Sequence, residues 1–119
     1  MSNKKFGELI PGNSLWMLCI SPTNDEPLDI INCIVDSINN DKTVVGVRYV
    51  DRADKSKMLR NYFRVNPDLY INDSLKEDKE HRMAALFETK EKAIEGYIYY
   101  CESKIQKYKE NIKEIGDFI

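Results

Sequence analysis

The chain has 119 residues, 42% of them hydrophobic and 32% charged, with a formal net charge of −2. That length fits a single domain spanning 1–119 with a real core and is too short for two. No apolar run approaches the roughly 18 residues of a membrane helix and no signal-peptide pattern is present, so a cytoplasmic protein without membrane insertion is expected.

Residues 1–8 are polar apart from Phe6 and read as a loose arm or a short edge piece. Ile10-Pro11-Gly12-Asn13 reads as a turn, with Pro setting φ and Gly accepting positive φ. Ser14 to Ile20 is a short apolar run between turn signals and predicts a strand with Trp16 in or beside the core. Leu28 to Ile38 predicts a long strand, with Leu28, Ile30, Ile34 and Ile38 on one face and Ile31, Cys33 and Val35 on the other. Both faces are apolar, which predicts a central or strongly bent position. Asn39-Asn40-Asp41-Lys42 predicts a hairpin in which Asn or Asp takes the left-handed geometry. Thr43 to Asp51 returns as a strand in which Gly46 predicts a bulge or bend.

After a charged loop, Met58 to Val65 predicts a fourth strand, with Leu59, Phe63 and Val65 alternating against Arg60, Tyr62 and Arg64. Leu69-Tyr70-Ile71 offers a short fifth. Ser74-Leu75-Lys76-Glu77 has the form of a capping box and predicts a short helix over 75–85, although 75–87 reads as helix, strand or loop in turn. Lys90 to Ile115 is the longest uniform stretch. Ile98, Ile105 and Ile112 fall at one heptad position, and Ile94, Cys101, Tyr108 and Ile115 at the other. That is a 3.5-residue seam. Thr89 is placed as its N-cap and Gly116 as a left-handed stop, with Phe118 or Ile119 folding back. Strands first and helix last predict α+β: a small, strongly curved antiparallel sheet or SH3-like barrel of four or five strands over 14–71, then the long helix over 90–115. The seam calls for burial, either on the protein's own sheet or against the same helix of a second copy, a homodimer.

Charge is unevenly spread. Residues 8–39 hold five acids and no base, whereas 40–66 hold seven bases against three acids. An anionic partner would explain this, and so would acidic and basic strands pairing across the ladder. The three cysteines, Cys19, Cys33 and Cys101, lie in apolar segments without paired spacing and read as buried thiols of a reducing compartment. The sequon Asn72-Asp73-Ser74 then carries no glycan.

The residue types and their spacing predict no enzyme, no cofactor and no metal site. The lone histidine, His81, sits in a charged run, and no nucleophile, metal or phosphate-loop motif accompanies it. Two groups suit binding. Arg48, Arg60, Tyr62 and Arg64 share a surface if their strands pair in register, and arginine with an interleaved aromatic grips phosphate while stacking a base. Tyr97, Tyr99 and Tyr100 cannot all lie on one helix face with the seam, so at least one should be exposed, and tyrosine suits interfaces.

Phe87-Glu88-Thr89-Lys90-Glu91-Lys92-Ala93 resembles an element of small phage and mobile-element proteins, in which F-x-T-x-E-x-A opens a terminal helix behind a β-rich region. The resemblance implies a phage or mobile-element accessory protein and assigns no catalytic residue. The expected function is therefore protein–protein interaction, as a phage-encoded inhibitor or adaptor of a host protein. The alternative is a small-barrel nucleic-acid or nucleotide binder using the basic and aromatic strand face.

Overall fold

Alternation along Ser14–Ile20 (β1) sends Leu15 and Met17 to one side and Trp16, Leu18 and Ile20 to the other, and both sides are covered. The computed structural model describes residues 3–20, 27–73, 75 and 84–116. Four further strands, Pro27–Ile38 (β2), Val44–Val50 (β3), Met58–Arg64 (β4) and Ala84–Phe87 (β5), join β1 in one antiparallel sheet ordered β4-β3-β2-β1-β5. The sheet curls into a half-barrel with β4 and β5 at its edges, and a long helix, Lys90–Gly116 (α1), follows. The fold is α+β, and the open curved sheet is the form adopted. Leu69-Tyr70-Ile71 is not the fifth strand: Tyr70 makes one isolated bridge to Lys5, and 71–73 form a 3-10 turn. The apolar run ending at Phe87 takes that place beside β1. The helix predicted over 75–85 falls largely outside the described residues; its first position, Leu75, is helical, but its last two, Ala84 and Ala85, belong to β5.

The inner face of the curl carries Leu15, Met17, Cys33, Val35, Val45, Val47, Phe63 and Leu86. Phe6, Leu9 and Ile71 close over it. The N-terminal arm is therefore not loose, because Phe6 N–H donates to Leu69 O (3.0 Å) and Ile71 N–H to Lys4 O (2.9 Å). Burial pushes the Cys33 thiol up to about 12, since a thiolate there would lose its hydration without gaining a partner charge.

One bulge reshapes the sheet. Val35 pairs with Val47 but Ser37 pairs with Gly46, so Asp36 is an extra residue in β2. Beyond it the alternation inverts. Ile38 joins Cys33 and Val35 on the inner core instead of sharing a face with Ile34. Gly46 is required here, because a Cβ would collide with Ser37 Oγ and lie 3.0 Å from the Tyr62 ring. The glycine thus marks a bulge in the opposite strand.

In the 39–43 turn the left-handed residue is Lys42 (φ 62°) rather than Asn or Asp. Asn39 and Asp41 serve as hydrogen-bonding partners instead. Asn39 Oδ1 accepts from Val44 N–H at 2.8 Å, and Asp41 Oδ1 accepts from Thr43 Oγ1 at 2.6 Å. The Thr43 hydroxyl holds the Asp41 carboxyl below the usual range.

The outer face carries a second core of Leu18, Ile20, Ala85, Phe87 and Ala93, with Trp16, Ile30, Tyr97 and Tyr100 at its margin. Only two residues separate β5 from α1, so the helix must fold back at once. Thr89 caps it, accepting from Lys92 N–H at 3.1 Å. Glu88 and Asn72 bond reciprocally (2.9 Å each), and Glu88 also accepts from Lys4 N–H, tying arm, turn and helix start together. Gly96 lies on the Phe87 ring so closely that a Cβ would overlap it. Gly116 is the last helical residue and is not left-handed; the fold-back expected of Phe118 or Ile119 lies outside the described residues.

Candidate functional site

The heptad seam does not pack on the sheet. Ala93, Gly96, Tyr97 and Tyr100 make that contact, and they lie beside the seam rather than on it. The reason is steric. Phe87 needs a residue without a side chain beneath it, and only Gly96 supplies that, which rotates Ile94, Ile98, Ile105, Tyr108, Ile112 and Ile115 outward. All six are exposed, Ile105 at 53% and Ile112 at 68%, while Cys101 is half-buried. Every residue from Ile105 to Gly116 is exposed, so the last three turns project from the body. At about 1.5 Å per residue, the 27-residue helix is some 40 Å long, within a molecule 56 Å in its longest dimension.

The three tyrosines divide. Tyr97 and Tyr100 stack on one another, centroids 6.2 Å apart, and lean on the outer core. Lys104 lies 5.6 Å over Tyr100, and Lys90 lies 5.9 Å over Trp16, so the flanks of the helix are sealed by cation–π contacts. Tyr99 points outward. It lines a cavity of about 170 Å³ with Asn72, Asp73, Lys92, Ile98 and Glu102.

The sheet brings the basic group together in register. Arg48 pairs with Arg60, Gly46 with Tyr62 and Val44 with Arg64, so Arg48, Arg60, Tyr62 and Arg64 share the outer face, on the half of the sheet away from β1 and β5. Arg48, Arg60, Tyr62 and Arg64 are all exposed. The bulge adds a residue that periodicity alone could not place there: Asp36 Oδ2 lies 3.0 Å from Arg60 Nε. The Asp36 side chain is only 9% exposed, and its Oδ1 is buried without a hydrogen-bond partner. Arg52 pairs likewise with Asp29, at 3.1 Å. Both acids come from the base-free stretch 8–39 and both arginines from the basic stretch, so part of the charge asymmetry is consumed within the fold.

Of the two partners expected for the seam, the protein's own sheet is not the one, since the seam's isoleucines lie exposed. The strict 3.5-residue spacing was the signal, since a helix lying on a sheet presents a wider stripe. Asp36 carried no signal short of the bulge. Among the described residues no three metal-ligating side chains cluster, and no helix is long and apolar enough to cross a membrane. His81 and the capping-box residues Ser74 and Glu77 lie outside the described residues. No protein family, no curated protein and no solved structure matches this chain.

Proposed function

We propose that this chain is a non-catalytic protein-interaction module whose working element is the projecting half of α1. One observation carries the reading: a continuous apolar seam is held in solvent by a helix whose other side is anchored to its own sheet. Burying an isoleucine or tyrosine is worth about 1.5–3 kcal/mol, so a run of such residues left in water is an unpaired docking surface. Tyr99 lies beside the seam, next to Ile98 and Glu102; the exposed Arg48, Tyr62 and Arg64 form a separate candidate contact face on β3 and β4. The three free thiols suit the reducing cytoplasm, and the role that fits the resemblance at Phe87 to Ala93 is that of a phage-encoded inhibitor or adaptor of a host protein. The test is capture of a protein partner from nuclease-treated bacterial lysate by the wild type and by Ile112→Asp. Ile112 is 68% exposed, so the melting temperature should stay within about 1 °C while capture is lost. Retained capture would remove the helix from the reading.

A second reading, nucleic-acid or nucleotide binding, is favoured by the register that sets Arg48 opposite Arg60 with Tyr62 and Arg64 alongside. Asp36 weakens it by neutralising Arg60 from beneath. Such binding should weaken with salt, log K falling by about 0.7–0.9 per phosphate contact for each tenfold rise in salt, and salt-independent binding would exclude it.

A further inference from the structure

We propose that the occupant of the seam is a second copy of this chain, its helix antiparallel, with Ile105 of one copy opposite Tyr108 of the other. The inference rests on the reading of α1 as a docking element and says what docks. A strict alternation of four and three along Ile94, Ile98, Cys101, Ile105, Tyr108, Ile112 and Ile115 is matched by another helix of the same period, because only a supercoiled partner stays on so narrow a stripe.

The flanking charges choose the partner and its direction. Glu102 and Lys109 follow the Cys101 and Tyr108 positions along one flank of the seam; Lys104 and Asn111 precede Ile105 and Ile112 along the other. Two copies in parallel register would set Lys104 of each beside Lys109 of the other, like against like. They would also stack Cys101 on Cys101 and Tyr108 on Tyr108. In the antiparallel register, Ile98 meets Ile115, Cys101 meets Ile112, and Ile105 meets Tyr108. The twofold axis repeats each layer, giving six, and every small or aromatic residue faces an isoleucine. Glu102 of each copy then lies beside Lys109 of the other, twice, and Lys104 faces only Asn111. Sliding by one heptad either way brings Glu102 onto Glu102 or Lys109 onto Lys109 at the axis. One register alone sets opposite charges throughout. The bodies permit it, since 105–116 are exposed all round and the tip of the second copy reaches Ile98 beside the cavity under Tyr99. Six layers make a short coil, so the dimer should dissociate in the micromolar range.

Sedimentation equilibrium of the full chain across that range tests it, with circular dichroism confirming equal helix content in each variant. The mass should rise from 13.9 kDa to twice that with concentration. Lys109→Glu should weaken the dimer about tenfold, by turning two attractive pairs repulsive. Adding Glu102→Lys should restore it. A parallel dimer would instead be strengthened by Lys109→Glu, which sets a carboxylate beside Lys104, and that result would overturn the proposal. So would failure of the double swap to restore association, or a wild type monomeric throughout. If the wild type is monomeric yet Ile112→Asp abolishes capture of another protein, this inference falls and the docking reading stands. If Ile112→Asp alters neither mass nor capture, both fall.

Discussion

Asp36 shows how one extra residue changes what a surface can do. The bulge turns it onto the outer face beneath Arg60, where its carboxylate is largely enclosed and one oxygen has no hydrogen bond. Arg60, 64% exposed, is thus a counterion to a buried charge as well as a surface residue. Arg60→Ala should cost about 1–3 kcal/mol, because it strands the carboxylate. Urea unfolding should show that Asp36→Ala combined with Arg60→Ala costs less than the two singles together, with a coupling of about 0.5–3 kcal/mol. Strict additivity would mean that the pair is too well solvated to matter. Charge reversal at Arg60 is consequently a poor probe of partner binding, and Arg48 and Arg64 are the better pair to vary.

At the scale of the element, α1 is two helices in one. Its first half is set by Thr89, by the Glu88–Asn72 pair and by Gly96 against Phe87; in its last three turns every residue from Ile105 to Gly116 is exposed. Glycine inside a helix is worth about 1 kcal/mol less than alanine. Gly96→Ala should nevertheless destabilise the protein by about 1–3 kcal/mol, since the new methyl enters the Phe87 ring and the helix must shift. Thermal unfolding reads the sign directly. A more stable variant would mean that Phe87 moves aside freely and that Gly96 does not set the rotation of the seam. The edge strand β4 presents the other exposed surface. Its Met58, Leu59 and Tyr62 lie open beside arginines that discourage edge-to-edge pairing.

For the whole molecule, two cores on opposite faces of one curled sheet divide the labour. The inner core, closed by the N-terminal arm and Ile71, is sealed, whereas the outer core is covered by the helix over β1, β2 and β5. The three thiols sample this plan. Cys101 on the helix should react first with Ellman's reagent, half-buried Cys19 more slowly, and Cys33 only as the protein unfolds. Raising the pH to 9 should not free Cys33, because its folded pKa is about 12. The sign follows from linkage: an unfolded thiol ionises near 8.5–9, so Cys33 favours the unfolded chain increasingly from there up to about 12. Fast reaction of all three would contradict a sealed inner core. Cys101 should also be protected as protein concentration rises if two seams meet.

By itself the sequence determined the parts that local chemistry dictates. An apolar run between turn signals located β1 and period-two alternation β2 to β4, each within a residue or so at its ends; the 3.5-residue seam and the Thr89 cap located α1, and strands followed by a helix made the class α+β. Only the tertiary structure decided how the parts face one another. Pairing brought Arg48 to Arg60, but it also supplied the bulge that sets Asp36 beneath them and inverts Ile38, and a bulge depends on two strands at once. The seam went outward because Phe87, distant from Gly96 in spacing though not in space, admits one face of the helix and no other. Heptad periodicity states that a stripe wants a partner. Which surface meets it is set by the fit of a single ring against a single glycine.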